Sequence, residues 1–104
     1  MAFSVVLTHR AQLDIDEYTL FIAESSPTEA ARWKSTLETL ILSLDTIPGR
    51  FSIIPESARL KRPYRSVNHH SHRVIFRIDE EAEVVYVVRV YHGARKRLTP
   101  ADVQ

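Results

Sequence analysis

The chain has 104 residues, 44% of them hydrophobic, a formal net charge of +1 and no cysteine. That is one domain, residues 1–104, with enough apolar content for a single core. The missing cysteines exclude a disulfide framework and a thiolate zinc site. No apolar run has the length of a transmembrane helix, and MAFSVVLTHR lacks the basic start of a leader, so the expectation is a cytosolic protein without a membrane partner.

The charge is unevenly spread. Residues 1–49 hold three Lys/Arg against seven Asp/Glu, and residues 50–104 hold eleven against six. Such polarity suits a nucleic acid or an acidic protein partner, and it equally describes a solvated basic face.

In chain order, Phe3–Thr8 predicts a short strand, with Phe3, Val5 and Leu7 on one face and Thr8 or His9 as the cap of the next element. Ala11–Glu24 predicts a helix whose stripe is Ala11, Ile15, Tyr18 and Ile22. Asp14, Asp16 and Glu17 fall in its first two turns, where the helix dipole favours negative charge. Leu13 and Leu20 lie opposite the stripe; either another segment covers them or they form a patch for a partner. Ser26-Pro27-Thr28-Glu29 opens a second helix, with Ser26 as N-cap, Pro27 at the first helical position and Glu29 completing a capping box. That helix runs to about Asp45 or Thr46 with Trp33, Leu37, Leu40 and Leu44 as its stripe, forming an antiparallel helical hairpin. Trp33 reads as core, with base stacking as the alternative.

Ile47–Pro63 holds three of the five prolines and reads as a long, irregular segment with room for one strand-like piece, carrying Arg59, Lys61 and Arg62. Tyr64–His69 suggests a middle strand. Ser71–Arg97 then reads as two strands, an acidic turn and a basic tail. Strict alternation puts Val74, Phe76 and Ile78 of the first strand, and Val84, Tyr86, Val88 and Val90 of the second, on an apolar face. It leaves a mixed, functional face bearing Arg73, Arg77, Arg89 and Tyr91. Thr99-Pro100-Ala101-Asp102 resembles a helix start. The fold class is α+β, ordered β-α-α-β-β-β, with the helical hairpin packed on one face of a small, antiparallel-rich sheet.

The chemistry on offer is narrow. His69, His70 and His72 cluster, but neighbours alternate sides and no carboxylate stands at ligand spacing, so no metal is expected; no cofactor motif is visible either. The arginines Arg73, Arg77, Arg89 and Arg95 can hold phosphate or stabilise a developing oxyanion, and His92 can serve as acid or base. Those are the parts of a metal-free ribonuclease, and equally of a basic protein-binding face. His92 also shares the parity of Val88 and Val90, which makes it alternatively a satisfied strand-end histidine.

The element order, Ala11-x-x-Asp14-Ile15-x-x-Tyr18, His72-Arg73-Val74-Ile75-Phe76-Arg77-Ile78 and Val88-Arg89-Val90-Tyr91-His92-Gly93-Ala94-Arg95 together resemble the ParE/RelE superfamily of type II toxin–antitoxin toxins, also labelled plasmid stabilisation proteins. The resemblance covers nearly the whole chain. It implies growth inhibition and a cognate antitoxin that wraps the toxin, with Leu13 and Leu20 as contact candidates. RelE-like members cut mRNA on the ribosome, which would make Arg73, His92 and Arg95 the catalytic candidates. ParE-like members inhibit DNA gyrase. Gly93 stands where ribosome-dependent members carry an aromatic residue, and Lys61 and Arg62 are the nearest approach to their lysine pair. The HGAR ending is closer to ParE-like sequences, so gyrase inhibition is the leading expectation, mRNA cleavage the alternative and a non-toxic binding module the third. Arg59, Lys61, Arg62, Arg73, Arg77, Arg89 and Tyr91 are the candidate target-binding residues.

Overall fold

The computed structural model describes residues 2–93 and 97–103. Strand β1 (Ser4–Leu7) leads into α1 (His9–Ser25) and α2 (Pro27–Leu42), with a 3₁₀ turn at Ser43–Asp45. A second 3₁₀ turn (Pro48–Arg50) and the short α3 (Ser57–Leu60) precede β2 (Arg65–His69), β3 (His72–Asp79) and β4 (Val84–His92). A last 3₁₀ turn, Pro100–Val103, closes the described chain.

The helix boundaries follow from their caps. The Thr8 hydroxyl accepts from the Ala11 amide at 3.2 Å and donates to the Val87 carbonyl at 3.0 Å, so one residue starts α1 and fastens it to β4. Ser26 ends α1 through its amide on the Ile22 carbonyl at 2.9 Å, and starts α2 through its Oγ, which accepts from the Glu29 amide at 3.2 Å. The expected capping box is therefore half made. The Ser26 amide is already occupied by Ile22, and the Glu29 carboxylate turns to Arg32 at 2.8 Å instead.

The sheet order is β1-β4-β3-β2, with β1 parallel to β4 and the other pairs antiparallel. The α+β class and the antiparallel-rich sheet are as expected, but β2 is an edge strand rather than a middle one. The helical hairpin covers one sheet face. Ala11, Ile15, Trp33, Leu37, Ile41 and Leu44 pack there against Val74, Phe76, Val85, Val87 and Val90. Burying a side chain such as Leu37 or Phe76 stabilises the fold by about 1.5–3 kcal/mol.

Two expectations about the hairpin fail, for one physical reason each. The β3–β4 register breaks between Ile75 and Phe76: Ile75 pairs with Arg89, but Phe76 pairs with Val87. Val88 is the extra residue of a β-bulge, and it reverses the parity of β4. Val85 and Val87 therefore join Val90 under the helices, while Tyr86 and Val88 go to the opposite face with Tyr91. Nor is that opposite face open. Ile54 and Leu60 of the proline-rich segment, Tyr64 just after it and Leu98 of the tail fold over Ile75, Val88 and Tyr91 as a second core. A face with that much apolar surface needs a cover, and the long segment between α2 and β2 supplies it.

Candidate functional site

Each predicted site residue among the described ones is placed by its element and, on β4, by the bulge. β1 accompanies β4 only over Val84–Val87. Beyond that point α1 takes its place: the Asp14 carboxylate accepts from the Val90 amide at 2.9 Å and from Arg89 Nε and Nη2 at 2.7 and 2.9 Å. Arg89 also donates to the Asp102 carbonyl at 3.2 Å. Its side chain is only 5% exposed. A buried guanidinium must be paired and hydrogen-bonded to be tolerated, and the bonds to Asp14 push its pKa up from the ordinary value. Arg89 is thus an internal tie between α1, β4 and the tail.

Arg73 is held in a similar way. Its Nη2 donates to Glu56 Oε2 at 2.7 Å. Glu56 is buried, and it also accepts from the Leu98 amide at 3.4 Å. The Arg73 hydrogen bond is the main reason the Glu56 pKa falls from 4.5 to about 2. Tyr91 pairs with Arg73 in the register and is buried in the second core.

His92 pairs with His72, on the helix side of the sheet. Their rings are 4.9 Å apart, and the His72 ring meets Tyr18 at 4.2 Å and Trp33 at 5.4 Å. A cleft of about 430 Å³ opens beside them, lined by Asp14, Glu17, Tyr18, Phe21, His72 and His92 among others. Arg73 and His92 therefore sit on opposite faces of the sheet and do not converge. Arg95 lies outside the described residues. His69 is buried against Trp33; its Nε2 donates to the Trp33 carbonyl at 3.2 Å, and burial lowers its pKa. Among the described residues no His/Asp/Glu group is arranged to hold a metal ion.

The remaining cations among the described residues are exposed or half-buried. Arg59, Lys61 and Arg62 lie on α3 and the turn after it, where Lys61 adopts the left-handed conformation (φ 64°) as the helix C-cap. Arg77 stacks its guanidinium over the Tyr86 ring, 4.3 Å from the centroid. Leu13 and Leu20 are not covered: they are 41% and 70% exposed, and Phe21 joins them at 63%. Sequence reading missed Phe21, the two carboxylates that occupy Arg73 and Arg89, and the grouping of Arg10 with Arg62 and Arg77 around one hollow. An arginine inside the apolar run of β4 was the available signal for the carboxylates, because a buried arginine implies a carboxylate somewhere in the fold.

A family model described as the ParE toxin of the type II toxin–antitoxin system, parDE, matches residues 5–97. Toxin RelE1 of Caulobacter vibrioides is 28% identical over 98 residues, which cover 93% of this chain and 100% of that relative. Among solved structures, a chain of the RelBE2 toxin–antitoxin complex from Mycobacterium tuberculosis superposes with a TM-score of 0.59 at 22% identity, covering 88% of this chain and 99% of that one. A chain of the chromosomal ParDE system from P. aeruginosa gives a TM-score of 0.67 at 15% identity, covering 88% and 96%. At those identities the two structures establish a common fold.

Proposed function

The chain belongs to the ParE toxin family of type II toxin–antitoxin systems, and from that premise we propose that it inhibits DNA gyrase by binding, without cleaving RNA. The supporting observation is the separation of Arg73 from His92. A metal-free ribonuclease needs an acid–base group and an oxyanion-stabilising cation converging on one phosphate. Here Arg73 faces Glu56 on one side of the sheet, while His92 packs beside His72 and Tyr18 on the other. Arg89 is occupied by Asp14.

The cognate antitoxin is proposed to cover the outer face of α1. Leu13, Leu20 and Phe21 are exposed there, and large exposed apolar side chains grouped on one helix face mark a protein contact. The setting is cytosolic, where gyrase works.

The test is a supercoiling assay with purified gyrase, run beside a reconstituted translation reaction in which mRNA ends are mapped. Blocked supercoiling or accumulated cleavage complexes at micromolar protein, with intact mRNA, is the expected result. Cuts confined to ribosome-occupied codons would overturn it and return His92 to a catalytic role. Inactivity in both assays, with harmless expression, would leave a non-toxic binding module.

A further inference from the structure

A second cleft, of about 520 Å³, lies between the start of α1, the turn after α3 and the paired positions Arg77 and Tyr86. Arg10, Arg62 and Arg77 line it, together with His9 and Tyr64. Among the described residues none of these three guanidinium groups has a carboxylate within ion-pair distance, in contrast to Arg32, Arg73 and Arg89. His9 and Arg10 also occupy the first turn of α1, which carries no acidic residue. The positive end of a helix dipole disfavours cations at that place. The sequence thus sets like charges against a helix N-terminus and against one another, with no carboxylate among the cleft's described lining residues. Such a local conflict is expected where an outside group completes the site. Several arginines beside a helix N-terminus match a phosphate.

The tyrosines of the cleft offer bases no platform. The Tyr86 ring is covered by Arg77, and Tyr64 is buried in the second core. Stacking on single-stranded bases requires open aromatic faces, so the contact is to backbone alone. We infer that this cleft grips the phosphodiester backbone of duplex DNA through Arg10, Arg62 and Arg77, without reading sequence. The inference deepens the gyrase reading, which is what places the protein beside duplex DNA. Asp79, Glu80 and Glu81 adjoin Arg62 and Arg77 in a neighbouring hollow. Their charge repels phosphate and sets the boundary of the footprint on that side.

The test is fluorescence anisotropy of the full-length protein with a labelled duplex of arbitrary sequence, across about 50–200 mM salt. Three phosphate contacts predict a slope of log K against log salt of about −2.7. Arg10→Ala and Arg62→Ala should each reduce the slope by about 1 and weaken binding about tenfold. Both side chains are exposed and carry no ion pair among the described residues, so thermal stability should not fall, and Glu80→Gln with Glu81→Gln should tighten binding. No binding at low salt, or a slope unchanged in the Arg10→Ala/Arg62→Ala double variant, would overturn the inference. So would equal competition by polyglutamate, which reassigns the cleft to an acidic protein segment, or a preference for single-stranded RNA of the same length. A supercoiling assay run in parallel separates the two claims. Gyrase inhibition without DNA binding removes the cleft's role and leaves the gyrase reading, whereas DNA binding without gyrase inhibition does the reverse.

Discussion

Replacing Glu56 by Gln tests the tie that holds Arg73 to the irregular segment before β2. The carboxylate accepts from Arg73 at 2.7 Å and from the Leu98 amide at 3.4 Å, with 4% of its side chain exposed. Its fall from 4.5 to about 2, at about 1.4 kcal/mol per pH unit, corresponds to about 3 kcal/mol of stability. The sign is set by which state binds the proton. The folded pKa is depressed, so the contribution is complete above about pH 4.5 and disappears as pH falls toward about 2. Glu56→Gln is therefore expected to cost about 2–3 kcal/mol at pH 7, a large fraction of a domain's total of about 5–15 kcal/mol. The same substitution should cost almost nothing at pH 2. Urea unfolding of both proteins at the two pH values measures it, and the wild-type midpoint should exceed the variant's by about 1–3 M at pH 7. A gap that stays constant from pH 7 to pH 2, or that is below about 1 kcal/mol at pH 7, would refute the reasoning.

Asp14→Ala should destabilise by about 3–5 kcal/mol, because it strands the buried Arg89 and the Val90 amide. Adding Arg89→Met should recover most of that loss by chemical denaturation, since an apolar replacement removes the unpaired charge. Burial lowers the His69 pKa from its ordinary 6.5; stability should be full above about pH 6.5 and decline below it, and His69→Gln should flatten that part of the curve. Leu20→Glu and Phe21→Glu should leave stability within about 0.5 kcal/mol, yet together weaken antitoxin binding by about thirtyfold or more in a titration. Unchanged affinity in that double variant would move the antitoxin to another face.

Local signals were legible where local physics acts alone. Thr8, Ser26, Pro27 and Thr99 mark helix starts because a hydroxyl or a ring acts within its own turn. The stripes Ala11/Ile15 and Trp33/Leu37 mark the buried faces because helical periodicity is fixed by the backbone. Element order and family resemblance came from the same patterns.

Function-bearing detail depended on contacts that no local pattern encodes. The bulge at Val88 is a single unpaired residue, decided by how β3 and β4 pair along their length, and it reverses which side chains of β4 lie under the helices. The Arg89–Asp14 bond joins residues 75 apart, and Arg73–Glu56 joins residues 17 apart across a loop. From sequence alone Arg73 has the same standing as Arg77 as a ligand for phosphate, and only the place of Arg89 in an apolar run hints at a counter-charge. Only the tertiary structure distributes the carboxylates, neutralising Arg73 and Arg89 inside the fold while leaving Arg10, Arg62 and Arg77 facing a cleft. The reason is physical: buried Arg89 must find its counter-charge within the protein, and half-buried Arg73 meets the buried carboxylate of Glu56, whereas no carboxylate among the described residues lines the cleft beside the other three.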